Sequence, residues 1–145
     1  MEILHFNKRA SFEYSFIETY IAGIELKGSE VKSIRDGKSS ITESYCTFRD
    51  NELFITNMHI SEYKESSYYN HEPYRERKLL LNRKELDKLA SGLQMNGLTI
   101  VPVKLILTNR GLIKLEIALA KGKKLWDRRN NIKEREANRD IERNK

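Results

Sequence analysis

The chain holds one cysteine, Cys46, so no intrachain disulfide is possible, which fits a reducing compartment such as the cytoplasm. No apolar run approaches the length of a membrane span, which argues against an integral membrane protein. The opening MEILHFNKRA lacks the basic-then-apolar order of a signal peptide. There is no internal repeat and no low-complexity linker. P-loop, GxSxG and GxGxxG patterns are missing, and His5, His59 and His71 are scattered without metal-ligand spacing. Cys46 sits in an expected strand with no histidine near it in sequence, so it reads as a buried structural cysteine and not a nucleophile. Carboxylates such as Glu13 and Glu18 are not set apart from ordinary surface charge. No residue pattern supports an enzyme, a metal or a cofactor.

What the chain does have is an uneven charge. Its 145 residues carry 27 basic and 21 acidic side chains, a net charge of +6. The last 25 residues, KGKKLWDRRNNIKEREANRDIERNK, hold ten of the bases and five of the acids, so +5 of the net charge resides there. Residues 121–145 are too polar to build a core, because the apolar area available does not offset the entropy of ordering them. Charge alone fits two readings equally: a polyanion as partner, since each phosphate contact releases counterions, or a tail that serves only to solubilise. The composition changes most sharply at Lys121, which sets residues 1–120 as the folded body and residues 121–145 as a basic tail. Within the tail, Asn131 and Glu134 have capping-box spacing, and Arg139–Glu142 and Asp140–Arg143 are spaced at i,i+3. The apolar stripe of Ile132, Ala137 and Ile141 is thin, so the expectation is disorder when free and helix when docked.

In the body, residues 12–26 alternate Phe12, Tyr14 and Phe16 with Glu13 and Ser15, a half-buried strand pattern. Residues 28–38 read as a short helix with Ser29 as N-cap and Asp36-Gly37 as its end. Residues 45–60 read as a hairpin turning at Asp50-Asn51. Residues 61–77 are polar and tyrosine-rich, a loop. Asn82 and Glu85 form a capping box ahead of Leu86, Leu89, Ala90 and Leu93 at helical spacing, stopped by Gly97. Residues 98–108 and 112–120 are two strands joined through Asn109-Arg110-Gly111, with Ile113, Leu115, Ile117 and Leu119 on one face and Lys114 and Glu116 on the other. At least five strands with two helices give a mainly β (α+β) fold. A closed barrel is an economical way to remove exposed edges, although periodicity does not separate it from a sandwich.

Basic clusters at 7–9, 75–78 and 121–129 and the nearby Tyr68, Tyr69 and Tyr74 have two readings. Rings beside Arg75, Arg77 and Lys78 suit stacking and phosphate contact with RNA, and they equally suit packing over the end of the body.

NKRASFEY, AGIELKGSEVKSIRDGK, MHISEY, RERKLLLNRKELDKL and GKKLWDRRNNIKERE, in this order, resemble the small protein B family, the SsrA-binding proteins of bacterial ribosome rescue. The resemblance runs from about Phe6 to the C-terminus. It implies a non-enzymatic, oligonucleotide-binding (OB-like) closed β-barrel with flanking helices and a C-terminal tail. The barrel would bind the tRNA-like domain of transfer-messenger RNA. The complex would be carried to stalled ribosomes with elongation factor Tu. The tail would fold on small-subunit ribosomal RNA in the empty mRNA channel near the decoding centre. Neither DNA nor a membrane is implied as partner. Carried over position by position, the RNA surface of the body would comprise Asn7, Lys8, Arg9, Tyr14, Lys32, Arg35, Tyr45, Leu81 and Lys114. The decoding-site motif would comprise Gly122, Lys123, Lys124, Trp126, Asp127, Arg128 and Arg129. The chain departs from the family at Ser11 and Phe12, where Arg and His are common, at Ile21, where an acidic residue is common, and at Trp126, where Tyr or His is usual. The alternative is a generic OB-type single-stranded RNA-binding protein whose tail acts by charge alone.

Overall fold

The computed structural model describes residues 1–64, 70–95 and 97–123. In chain order the elements are β1 (Glu2–Phe6), α1 (Lys8–Glu13), β2 (Tyr14–Ile24), α2 (Gly28–Arg35), β3 (Ser39–Ser40), β4 (Tyr45–Arg49), β5 (Glu52–Thr56), β6 (His59–Ile60), β7 (Arg77–Leu80), α3 (Arg83–Leu93), β8 (Leu98–Leu107) and β9 (Ile113–Gly122). The fold is mainly β with a few helices. Seven strands form one antiparallel sheet in the order β1-β8-β9-β2-β7-β5-β4, and β3 pairs with β6 in a small second sheet.

The expected closed barrel is not closed by hydrogen bonds. Among the described residues the ladder ends at β1 and at β4. The sheet nonetheless curls until β4 lies beside β8. Bulges at Ile3/His5, Phe16/Glu18 and Pro102/Lys104 supply local twist and bend. At this seam β8 has little left to pair with. Its residues 104–107 already pair with β1, Pro102 has no N–H, and the Pro102 carbonyl accepts from the Asn7 side chain at 2.9 Å.

The curled sheet encloses Ala22, Leu53, Ile55, Leu79, Ile100, Leu105, Leu115 and Ile117, all fully buried, with Leu86 and Leu89 of α3 packed over them. The two faces of β9 follow from its alternation. Ile113, Leu115 and Ile117 point inward, and Lys114 and Glu116 outward. Near the other end of β9 the outward face becomes small, Ala118 and Ala120, and with Val101 and Val103 it receives Ala10 of α1. Short side chains on both sides let this helix lie close to the sheet.

Three local expectations are corrected. Residues 8–13 are the helix α1, not the start of a strand, so Phe12 belongs to a helix and β2 begins at Tyr14. The cause is Asn7, whose side-chain oxygen accepts from Ala10 N at 3.1 Å and ends β1 by starting a helix. At α2 the N-cap position is Lys27, with the Glu30 carboxylate accepting from its backbone N–H at 2.7 Å; Ser29 spends its hydroxyl on His71 instead. β1 was not anticipated. The hairpin at Asp50-Asn51 is present, both residues having positive φ as a two-residue primed turn requires. So is the Asn82–Glu85 capping box of α3, with hydrogen bonds in both directions. β9 continues through Gly122, two residues past the expected end of the body.

A candidate nucleic-acid interface

The seam between β4 and β8 opens into a cleft of about 210 Å³, roofed by α1 and walled by residues 42–45 and 99–102. Four of the residues implied as RNA-binding meet here: Asn7, Arg9, Tyr14 and Tyr45. They come from α1 and its cap and from the first residues of β2 and β4, and only the curl of the sheet brings them together.

The four differ in what they offer. Tyr45 is about half exposed, a ring face open to a partner. Asn7 is buried, and both ends of its amide are engaged, the oxygen by Ala10 N and the nitrogen by the Pro102 carbonyl. It therefore holds α1 in place over the cleft. Arg9 is exposed but already paired, donating to Glu13 at 3.1 Å and to Glu43 at 2.6 Å. Its neighbour Lys8 is exposed and has no acidic partner among the described residues. Glu43, which sequence reasoning passed over, is the acidic element of this rim. It is fixed by the turn after Ile41, where the Asn57 side chain donates to the Glu43 carbonyl at 3.1 Å.

The other implied residues lie elsewhere on the sheet. Lys114 stands on the outward face of β9, in one cross-strand row with Ile106, Gly23 and Leu80, and no acid pairs with it among the described residues. Lys104, also outward on β8, is by contrast paired with Glu116 at 3.6 Å. Arg35 at the end of α2 donates to the Gly111 carbonyl at 3.1 Å, so it borders the hairpin that carries Lys114. Lys32 lies 5.4 Å above the Tyr63 ring. Leu81 is half-buried against the core; the exposed leucine of this stretch is Leu80. Ile21, exposed on β2, is directly opposite Glu116. Gly122 pairs with Tyr14, and Lys123 N donates to the Glu13 carbonyl at 2.8 Å, so the chain leaves β9 beside the foot of α1. Lys124, Trp126, Asp127, Arg128 and Arg129, and likewise Tyr68 and Tyr69, lie outside the described residues.

The 75–78 cluster takes on a structural role. Arg77 is fully buried and donates to Glu30 and, at 2.7 Å, to the Met58 carbonyl. Arg75 donates to the other oxygen of Glu30 at 2.6 Å. Burial alone would push the Glu30 carboxyl up, but hydrogen bonds from Arg75, the Lys27 backbone and Arg77 outweigh it, and the group lies below its ordinary value. Next to them the buried His71 ring bridges Ile60 and Ser29, each at 2.8 Å. The Ile60 carbonyl only accepts, so Nε2 donates to it, and Nδ1 faces the Ser29 hydroxyl. These arginines clamp the 71–77 segment to α2; Arg77 is sealed from any phosphate, and the partly exposed Arg75 is committed to Glu30. Lys78, exposed to about the same degree as Arg75, lies 3.5 Å from Glu52. The Cys46 thiol is buried and pushed up to about 12 by that burial, which makes it inert.

The family model described as SmpB protein matches residues 4–145. Among curated relatives, an SsrA-binding protein of Phocaeicola vulgatus is 56% identical over 137 residues, covering 94% of this chain and 91% of its own. One from Christiangramia forsetii is 51% identical over 137 residues, covering 94% and 87%. A solved structure described as "tmRNA-SmpB: a journey to the center of the bacterial ribosome" superposes with a TM-score of 0.69 at 46% identity, covering 83% of this chain and 85% of that one.

Proposed function

The chain belongs to the SmpB protein family, and on that premise we propose that it is an RNA-binding adaptor of ribosome rescue. It binds the tRNA-like domain of transfer-messenger RNA and takes part in its delivery to stalled ribosomes, with elongation factor Tu in the delivery complex. The tail from Gly122 onward then enters the vacant mRNA channel near the decoding centre. The observation that carries this reading is the near-complete match, at about half identity, to SsrA-binding proteins, together with the likeness to a structure whose description names both transfer-messenger RNA and the ribosome.

The geometry offers physical support. A folded RNA is recognised by shape, by phosphate contacts and by rings that stack on unpaired bases. The body presents Tyr45 and Tyr14 at the seam cleft, with Lys8 on the helix above it and Lys114 on the sheet face, neither paired with an acid among the described residues. Such separated contacts suit a broad folded elbow better than one extended strand. The tail's Lys123, Lys124, Arg128 and Arg129 surround the chain's one indole, Trp126, so charge and stacking are its means of gripping ribosomal RNA without base pairing.

The test is RNA preference. In competition binding at fixed salt, the full chain should choose a transcript of the tRNA-like domain over single-stranded RNA of equal length. Equal affinity for the two would favour the generic single-strand reading and reject the adaptor.

A further inference from the structure

A second cleft, of about 330 Å³, adjoins the seam and shares Glu43 with it; its other lining residues are Ser40, Asn57, His59 and Tyr74. Two of these are aromatic rings in contact. His59 and Tyr74 have centroids 5.0 Å apart and planes tilted by 54°, and Tyr74 is 54% exposed. The ring is thus held from one side and bare on the other. His59 belongs to β6 and is fixed by the β3 pairing at Ser40. Tyr74 is fixed through its backbone N–H, which donates to Glu72 at 3.0 Å, and by Arg77, which holds the neighbouring Pro73 carbonyl at 3.2 Å. The clamp on Glu30 therefore has a consequence at the surface: it presents Tyr74.

Beside the hydroxyls of Ser40 and Tyr74 and the His59 ring, this cleft presents two acceptor groups, on Glu43 and Asn57. Asn57 donates one of its two amide N–H groups to the Glu43 carbonyl, and its Oδ1 has no partner among the described residues. Glu43 gives Oε1 to Arg9, and its second oxygen has no such partner. A bare ring beside a carboxylate and an amide oxygen matches a nucleobase with N–H donors on its edge. A phosphate would meet the Glu43 charge and be repelled.

We infer that the His59–Tyr74 cleft is a single-base pocket, which takes one unstacked RNA base onto the Tyr74 ring and reads its donor edge through Glu43 and Asn57, with guanine as the best fit. The inference rests on the functional reading above and deepens it. Through their common wall at Glu43 the two clefts form one path, with the phosphates on the Lys8 side and a base turned out toward Tyr74.

The test compares the full chain with Tyr74→Ala and Tyr74→Phe in binding to the tRNA-like transcript across a salt series. Tyr74→Ala should weaken binding roughly 5- to 100-fold, as for one lost base–aromatic stack. Its salt slope should be unchanged, because no phosphate contact is removed. Tyr74→Phe should bind like the unaltered chain. In parallel, guanosine monophosphate should shift the His59 and Tyr74 NMR resonances more than uridine monophosphate does; equal response, nil included, would overturn the donor-edge assignment. An unaltered chain that does not prefer the tRNA-like transcript overturns the functional reading. One that prefers it while Tyr74→Ala binds equally well overturns the base pocket alone.

Discussion

Glu30 of α2 and Arg77 of β7 form an ion pair in which neither side chain has any exposed surface. They are 47 residues apart in sequence, and Arg75 closes the pair into a triad. The triad joins α2 to the start of β7, and through Pro73 and Met58 it sets the course of the connecting segment.

Glu30→Gln should therefore destabilise the protein by roughly 3–5 kcal/mol, since it leaves Arg77 buried without its counter-charge. The pH dependence has a definite sign. The folded-state pKa of Glu30 lies below its ordinary value of 4.5. Its contribution is then complete above that value and is lost as pH falls below it toward the folded-state pKa. Denaturant unfolding of both proteins at pH 7, 4.5 and 3.5 should show the gap between them narrowing at the acid end. A gap independent of pH would mean that Glu30 acts by shape and not by charge.

Gly92 lies under Leu119 so closely that a Cβ built on it would stand 2.5 Å from Leu119 Cδ2. Alanine would improve helix propensity by about 0.5–1 kcal/mol, but overpacking costs about 1–3 kcal/mol. Gly92→Ala should lower the melting temperature by a few degrees, at about 4 °C per kcal/mol for a domain of this size. A raised melting temperature would show that Leu119 swings aside freely.

Lys114 and Arg9 should behave differently although both are basic and both are implied in RNA contact. Lys114 has no acidic partner among the described residues, so Lys114→Ala should weaken binding to the tRNA-like RNA and reduce the salt slope by about 0.9, one phosphate's worth. Arg9 must first part from Glu13 and Glu43, so Arg9→Ala should cost less affinity than Lys114→Ala. Filter binding between 50 and 200 mM salt, a range chosen from the usual strength of such dependence, checks both. The reverse order would place the phosphate path at the seam alone.

Deleting residues 124–145 should leave folding and RNA binding intact, because β9 and its pairing with Tyr14 end at Gly122. Peptide tagging in a reconstituted rescue assay should be lost. In the full chain Trp126→Ala should lose roughly 1–3 kcal/mol of ribosome interaction if the indole stacks on a base, and Trp126→Tyr much less. A large fall in melting temperature for Trp126→Ala would instead make the indole a packing residue of the body.

Elements whose signal is local were legible in the sequence. The α3 capping box needs only Asn82 and Glu85 three residues apart, and the Asp50-Asn51 turn needs only two residues tolerant of positive φ. The strands β8 and β9 announce themselves by length and alternation. Residues 12 and 13 read as strand because Phe12, Tyr14 and Phe16 imitate strand alternation; the helix is started by the Asn7 side chain accepting from Ala10 N, and Asn7 is itself held there by donating to the carbonyl of Pro102, 95 residues away. Family resemblance implied an RNA surface by position, but not which of its basic side chains are already paired with acids.

What the sequence determined by itself is the contrast between alternating, apolar stretches before Lys121 and the charge carried by the last 25 residues, because hydrophobic periodicity and net charge are properties of residue order. Tertiary structure decided which charges remain available. Arg75 and Arg77 look like Lys8 and Arg9 in a list of basic residues, yet two are committed to Glu30, one to Glu13 and Glu43, and of the four only Lys8 has no acid among the described residues. That difference arises from the curl of the sheet and the packing of α2, which bring distant carboxylates within reach of some guanidinium groups and leave other cations facing outward.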